Sequence, residues 1–173
     1  MKIDLSPFIE SKDKSFKIEG ELTKPFDKYD TSDLKLVYPI KYEGVIYDLN
    51  GEFLLDLNTC YEYEAECSRC LKDLLNKVST NLNYVLFTEK PKEFEEDSVT
   101  EYIILEDNEL DIEDVVFSQI ITSIPIKVLC KEDCKGLCPQ CGKDLNEGPC
   151  NCEREDLIDP RFQKLQGLFN EEV

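Results

Sequence analysis

The stretch GEFLLDLNTCYEYEAECSRCLKD, residues 51–73, contains the two patterns that decide the fold class. Apolar residues occupy every second position over 53–57 and again over 61–65, and glutamates fill the alternate positions of the second run. A period of two that includes aromatic residues indicates a strand with one buried face. The alternation stops at the Cys-x-x-Cys pair of Cys67 and Cys70, so a strand is predicted to end at a cysteine turn.

Similar patterns lie on both sides of this stretch. Residues 34–47 alternate before it, and the Asn50-Gly51 pair between the two runs is typical of a tight hairpin. A further run over about 76–87 follows the cysteine pair. The sequence therefore predicts an α+β, β-rich fold. It is either an antiparallel meander or a partly closed barrel, with one or two packed helices and a C-terminal zinc-knuckle segment.

Residues 89–114 form an acidic stretch, with twelve acids against two lysines. We interpret it as a solvated loop around one short strand at 102–105, or as a surface for a basic partner. Asp111 suits the N-cap position of a helix over about 111–123, which would end before Pro125.

The chain is predicted to divide at about residue 126. Residues 1–126 form a mainly antiparallel β domain that includes the acidic loop (89–114) and the helix, although residues 1–30 are polar and only weakly patterned. Residues 127–173 form a cysteine-rich zinc segment and a C-terminal helix that starts at Asp159, with proline at the first helical position.

The composition excludes several classes of function. The 173 residues include 20 basic and 38 acidic ones, and the net charge of −18 disfavours broad electrostatic binding of nucleic acid. Because the chain has no histidine, it forms no Ser-His-Asp triad and no histidine-ligated zinc site. No apolar run reaches the roughly 20 residues that span a bilayer, and no signal peptide is visible. We therefore expect a cytoplasmic protein with no membrane partner.

Eight of the nine cysteines form four close pairs, which is a spacing typical of metal ligands. The odd count and the absence of a signal for an oxidising compartment disfavour a disulfide framework. In the CPQCG motif at 138–142, proline and glycine favour a knuckle turn on which two thiolates converge. We therefore predict two zinc ions, each bound by four thiolates. The favoured ligands are Cys67, Cys70, Cys130 and Cys134 for site 1, and Cys138, Cys141, Cys150 and Cys152 for site 2.

Other interpretations of the cysteines stay open on spacing alone. A local grouping of the four cysteines within 130–141 would leave the remaining four to form the second site. Iron–sulfur clusters use the same ligand type, and Cys67 with Cys70 could form a redox pair. Cys60 has no near partner and is expected to be a free thiol. With no phosphate-binding glycine loop and no distinctive pair of carboxylates, we expect neither an enzyme nor a small-molecule substrate.

Four unusual motifs follow one another along the middle and C-terminal parts of the chain. They are CSRCL at 67–71, CKEDCKGLCPQCGKDLN at 130–146, CNC at 150–152 and DPRFQKL at 159–165. In order and spacing they resemble the YceD-like family of bacterial large ribosomal RNA subunit accumulation proteins. The resemblance implies a non-enzymatic role in large-subunit ribosomal RNA accumulation or processing, and hence in ribosome assembly. It also favours the cysteine grouping given above, because some members keep the first pairs but lack the second motif.

The partners implied by this resemblance are a large-subunit ribosomal RNA precursor or a basic ribosomal protein. Residues 127–152 contain four lysines and four acids and are formally neutral, so if RNA is contacted directly, the contact is expected in this segment. The alternative functions are a zinc-stabilised interaction module unrelated to RNA and, less favoured, a thiol oxidoreductase. The candidate RNA or partner contacts are Arg69, Lys127, Lys131, Lys135, Lys143 and Arg161.

Overall fold

The computed structural model describes residues 1–26, 28–29, 34–89 and 101–152. The predicted C-terminal helix and the candidate contact Arg161 lie outside these residues. The elements in chain order are β1 (Lys2–Asp4), α1 (Ser6–Ile9), β2 (Ser15–Leu22), β3 (Lys35–Asp48), β4 (Phe53–Glu66), β5 (Asp73–Phe87), β6 (Glu101–Ile104), β7 (Glu109–Asp111) and α2 (Ile112–Ser123).

Five strands form one mixed sheet in the order β2-β3-β4-β5-β6. The first four are antiparallel to their neighbours and form the predicted meander, whereas β6 joins β5 in parallel. Within the described residues the sheet is open, so the meander is confirmed and the partly closed barrel is not what forms. A separate antiparallel pair joins β1 to β7.

The alternation in residues 53–66 gives β4 two different faces. Leu55, Leu57 and Tyr61 are almost completely buried, while Asp56, Asn58 and Cys60 lie on the opposite face of the sheet. At the β3–β4 turn, Asn50 and Gly51 have φ angles of 62° and 97°, the left-handed values that a tight hairpin requires. The predicted hairpin is therefore confirmed at both its strands and its turn.

Helix α2 covers the buried face of the sheet. It begins after Asp111, whose carboxylate accepts a hydrogen bond from the Asp114 N–H at 3.4 Å, as expected of an N-cap. Gln119 of this helix is fully buried, and both the oxygen and the nitrogen of its side-chain amide form hydrogen bonds. Its Oε1 accepts from Thr59 Oγ1 at 2.9 Å, and its Nε2 donates to the backbone oxygens of Leu57 and Thr80 at 3.2 and 3.1 Å. These bonds connect α2 to β4 and β5.

The N-terminal region contains three elements that its weak pattern does not indicate. Strand β2 pairs with β3 along its whole length, and β1 places Ile3 opposite Leu110 of β7. Leu5 and Phe8 then enter the main core. These elements are short. They form because distant strands provide backbone hydrogen-bond partners and apolar surface, and such long-range contacts produce no periodic pattern in the local sequence.

Two strand boundaries also differ from the predicted ones. β5 begins at Asp73 rather than near residue 76, because its pairing with β4 continues until Asp73 lies opposite Glu66. β6 covers 101–104 rather than 102–105. In the described part of the chain, no helix has the length and apolar character that crossing a membrane requires.

Candidate metal centre

The β4–β5 turn presents Cys67 and Cys70. The Cys67 N–H donates to the Lys72 oxygen and the Leu71 N–H donates to the Cys67 oxygen, both at 2.9 Å, so the turn is closed by its own backbone. Leu71 adopts a φ of 58° within it. The turn also receives the returning chain, because the Ser68 N–H donates to the Val128 oxygen at 2.8 Å. The segment after α2 is thereby placed beside the cysteine turn.

The first four-sulfur group has the dimensions of a single tetrahedral metal site. Cys67 Sγ lies 3.8 Å from Cys134 Sγ, and Cys70 Sγ lies 3.7 Å from Cys130 Sγ. All four sulfurs lie within 4.8 Å of one another. Zinc–sulfur bonds of about 2.3 Å in a tetrahedron place the sulfurs about 3.8 Å apart. The structure thus brings together four thiols that could hold one metal ion.

The charge state of these thiols also suits a cation. Burial raises the pKa of Cys67, but the backbone N–H groups of Arg69, Cys130 and Cys70 lower it to about 6. At Cys130, burial and the adjacent sulfurs raise the pKa to about 12. Without a cation, therefore, the four sulfurs cannot all ionise together. A dication at their centre would stabilise all four as thiolates.

The second four-sulfur group forms within one short segment. In the CPQCG knuckle, the Gly142 N–H donates to the Cys138 oxygen at 2.9 Å, and Gly142 has the predicted positive φ of 72°. The sulfurs of Cys138, Cys141, Cys150 and Cys152 lie within 4.8 Å of one another. Lys143 Nζ donates to the Pro149 oxygen at 2.9 Å and holds the connecting loop together. This group could hold a second metal ion.

The two groups differ in exposure but share one electrostatic pattern. Backbone N–H groups of Cys141 and Gln140 lower the pKa of Cys138 to about 6, while contact with Cys141 and burial raise that of Cys152 to about 12. Three of the four cysteines in the first group are buried, whereas only Cys138 is buried in the second, and Cys141 is exposed. The second group therefore lies nearer to solvent.

Asn146 connects the two groups, although the local sequence indicates no role for it at either one. It lies in the loop between Cys141 and Cys150, yet its Nδ2 donates to Cys134 Sγ of the first group at 3.4 Å. Its Oδ1 accepts from the Lys135 N–H at 2.9 Å. Burial raises the pKa of Cys134, but Asn146 and the Gly136 N–H outweigh it and lower that pKa. The only sequence signal is a common Asp-x-Asn turn, which does not indicate a distant sulfur.

The candidate RNA or partner contacts that the structure describes are all exposed to solvent. Arg69 Nη1 donates to the backbone oxygens of Cys134 at 2.7 Å and Glu132 at 3.2 Å, so Arg69 also holds the two cysteine turns together. Lys131 Nζ lies 3.8 Å from Asp133. Contact of these residues with RNA or a partner stays a prediction. The described exposed members are Arg69, Lys127, Lys131, Lys135 and Lys143.

Cys60 belongs to neither four-sulfur group. It lies on β4, where its Sγ donates to Ser79 Oγ at 3.4 Å, and its side chain is half-buried. Its position on the face of the sheet opposite the main core follows from the alternation of β4.

The chain is similar in sequence to several known proteins. Uncharacterized proteins of Mycobacterium tuberculosis and Mycobacterium bovis are each 32% identical to it over 110 residues, which is 62% of this chain and 51% of theirs. The chain thus spans about half the length of these curated relatives. A chloroplastic protein of Arabidopsis thaliana, large ribosomal RNA subunit accumulation protein YCED homolog 1, is 31% identical over 71 residues, 36% of this chain and 22% of that protein. No solved structure matches the chain.

A family model covers most of the part of the chain described above. The model is that of the large ribosomal RNA subunit accumulation protein YceD, and it matches residues 55–169. The matched range includes most of β4, all of β5 and α2, and both four-sulfur groups. Its description names an accumulation protein rather than a class of enzyme. The resemblance seen in the sequence is confirmed, and the chain belongs to the YceD family of large ribosomal RNA subunit accumulation proteins.

Proposed function

We propose that this protein is a non-enzymatic factor for the accumulation and processing of large-subunit ribosomal RNA, and hence for ribosome assembly. The observation that carries this proposal is the family match over residues 55–169. We propose further that the two four-sulfur groups are structural zinc sites, with site 1 formed by the first group and site 2 by the second. The zinc ions would hold the C-terminal segment against the sheet.

Zinc suits the sulfur geometry better than an iron–sulfur cluster does. A cluster binds its cysteines through several iron atoms, which spreads the sulfurs apart. Here all four sulfurs of each group lie within 4.8 Å of one another, which fits a single ion at their centre. Four thiolates around one zinc leave no open coordination position, and such closed sites have structural roles.

The small core around site 1 supports a structural role for its metal. Among the described residues, Cys67, Cys70 and Cys134 pack with four partly buried neighbours and lie apart from the main core of the β domain. So small an apolar cluster contributes little burial free energy, whereas a structural zinc ion contributes about 10–16 kcal/mol of apparent binding free energy. We propose on this ground that residues 127–173 form a zinc segment distinct from residues 1–126.

The charge of the protein favours a limited contact with RNA or a contact with a basic ribosomal protein. Residues 127–152 are formally neutral, and the chain as a whole carries −18. Four thiolates around each dication add further negative charge. We therefore propose weak binding to naked ribosomal RNA, with a shallow dependence on salt. Each phosphate contacted would contribute a log–log slope of about −0.7 to −0.9.

Cells that lack the protein provide the test of the proposed function. The ratio of large-subunit to small-subunit ribosomal RNA should fall in these cells and recover when the protein is supplied. Cys67→Ser should fail to restore the ratio, because it removes a zinc ligand. The matched control is Cys60→Ser, which removes a cysteine outside both groups and should restore it. An unchanged ratio in cells without the protein would contradict the proposed function.

Capture from a lysate with and without ribonuclease distinguishes the two kinds of partner. A ribosomal protein partner should remain bound after ribonuclease treatment. Complete loss of all ribosomal components, together with tight and salt-sensitive binding to bare RNA, would show instead that RNA is the principal partner.

A further inference from the structure

A cavity of about 450 Å³ lies between β6, α2 and the β1–β7 pair, and it shares no lining residue with either cysteine group. Its lining contains five acids and two lysines. Both lysines are occupied, because Lys2 Nζ lies 2.8 Å from Glu109 and Lys28 Nζ lies 2.7 Å from Asp114. In the part of the chain that the structure describes, Glu101 and Glu106 form no ion pair. The cavity therefore has an excess of negative charge.

Tyr84 supplies an independent indication of a ligand. Only 4% of this residue is exposed, and it lines the cavity. Its hydroxyl is buried with no hydrogen-bond partner among the described residues. Burial, together with the nearby Glu101 carboxylate, raises the pKa of this hydroxyl to about 12. A buried hydroxyl without a partner is unfavourable, and a ligand that donates to it would remove the deficit.

The arrangement of the acids disfavours a metal ion as that ligand. Among the described residues, the two cysteine groups alone bring three or more ligating side chains within 4.8 Å of one another. No three of the cavity carboxylates therefore come close enough to form the carboxylate-rich shell that a calcium ion prefers. An ammonium or guanidinium group fits better, because its several N–H donors can reach a carboxylate and a phenolic oxygen at once.

The position of β6 favours a polypeptide over a small free amine. All four residues of β6 line the cavity, and no strand lies beyond β6 in the sheet as described. An extended chain can lie along such an edge and insert a side chain into an adjacent pocket. Ile104 and Tyr102, which packs edge-on against Phe87, are both well exposed there. They offer apolar surface to a neighbouring chain.

We propose that this cavity binds a lysine or arginine side chain of a basic polypeptide that lies along β6, with Tyr84 Oη and Glu101 accepting its hydrogen bonds. This inference deepens the proposed function and rests on it for one point, the nature of the partner. A ribosomal protein is the kind of basic polypeptide that ribosome assembly would supply. The cavity would recognise it by charge and by the Tyr84 hydroxyl.

Binding of a fluorescent peptide of alternating arginine and threonine residues to the zinc-loaded full chain tests the proposal. Tyr84→Phe removes only the hydroxyl and should weaken binding by about tenfold, as expected for loss of one charge-assisted hydrogen bond. It should not lower the unfolding temperature, because the hydroxyl has no partner to lose. Tyr63→Phe is the matched control: Tyr63 is equally buried, lies outside the cavity, and should leave binding unchanged.

A second pair of variants separates the cavity from general charge attraction. The double variant Glu101→Gln/Glu106→Gln should weaken peptide binding at least tenfold more than Glu19→Gln/Glu21→Gln, which removes the same charge from exposed positions on β2. Equal losses from both pairs, or unchanged binding by Tyr84→Phe, would overturn the cavity assignment. Spermidine that binds as tightly as the peptide, with the same dependence on Tyr84, would show that a small amine is the occupant. Because the assay contains no ribosomal component, a negative result would contradict the cavity assignment alone. The proposed function would still be tested by the ratio of ribosomal RNAs in cells.

Discussion

At the scale of single residues, Gly136 and Gly142 share a φ of 72° but have different surroundings. A Cβ at Gly136 would lie 2.9 Å from the Arg69 oxygen, whereas one at Gly142 would meet nothing within 4 Å. Gly142→Ala should therefore lose about 1–2 kcal/mol of local stability from the left-handed backbone alone. Gly136→Ala should lose about 2–4 kcal/mol, because the clash adds to the same backbone term.

Hydrogen exchange of the Cys138 and Leu145 amides in the zinc-loaded protein measures this difference. Both amides donate to backbone oxygens within the cysteine segment, at 2.8 and 2.9 Å. Equal loss of protection in the two glycine variants would contradict the close contact between Gly136 and the β4–β5 turn.

Asn146 is expected to tune the metal affinity of site 1 from a loop that belongs to site 2. Asn146→Ala removes the donor to Cys134 Sγ, so zinc affinity at site 1 should fall about 10- to 100-fold, as for other residues that orient metal ligands. Competition with a chelator measures the change. Asn83→Ala, on the exposed surface of β5, serves as the control and should leave the affinity unaltered. A loss confined to site 2 would show that the bond to Cys134 has no influence on its metal.

The grouping of eight cysteines into two sets of four could be predicted from the sequence, because close pairs at short spacings are typical of metal ligands. The residues that support them could not. Arg69 and Asn146 act through a backbone oxygen and a sulfur on distant segments, and neither contact leaves a local pattern. From the sequence, Arg69 is a candidate contact only because of its positive charge. In the structure its side chain also connects the β4–β5 turn to the turn that contains Cys134.

At the scale of elements, Gln119 connects α2 to the sheet through a buried network. Gln119→Leu should destabilise the fold by about 1–3 kcal/mol, because the buried Thr59 hydroxyl loses its partner. Adding Thr59→Val should recover part of that loss, since both polar groups are then absent. A double-mutant cycle by urea denaturation measures the coupling. Strictly additive losses would contradict the bond between the two side chains.

Removal of zinc should release the cysteine segment and leave the β domain folded. The main core is formed by the sheet, α1 and α2, and it contains neither four-sulfur group. With a strong chelator, the amides of 130–146 should lose protection from hydrogen exchange, while those in the centre of β4 and β5 keep it. Simultaneous loss of protection in both regions would show that the zinc segment and the β domain fold as one unit.

The elements differ in how far the sequence predicted them. The strand over 53–66 and the helix after Asp111 have strong local signals, namely strict alternation and an N-cap, and both form as predicted. The N-terminal strands have no such signal, because β1 and β2 exist through pairing with β7 and β3. The parallel addition of β6 is likewise set by the position of β5 and not by its own four residues.

At the scale of the whole molecule, most of the acidic stretch lies apart from the paired cysteines along the chain. Residues 127–152 are formally neutral, while much of the negative charge lies in the acidic stretch that contributes Glu101, Glu106 and Glu109 to the cavity beside β6. If both proposals hold, the surface around the cysteine groups and the acidic cavity would contact different parts of one assembling particle.

The zinc content of paired cysteine variants tests the two proposed sites most directly. Native mass spectrometry should find two zinc ions in the unaltered protein and in Cys60→Ser. Cys67→Ser/Cys130→Ser should retain one ion, because both substitutions fall in site 1. Cys130→Ser/Cys138→Ser should retain none, because it damages both sites. One ion retained by Cys130→Ser/Cys138→Ser and none by Cys67→Ser/Cys130→Ser would establish the local grouping within 130–141 instead, and a protein without zinc would contradict both sites.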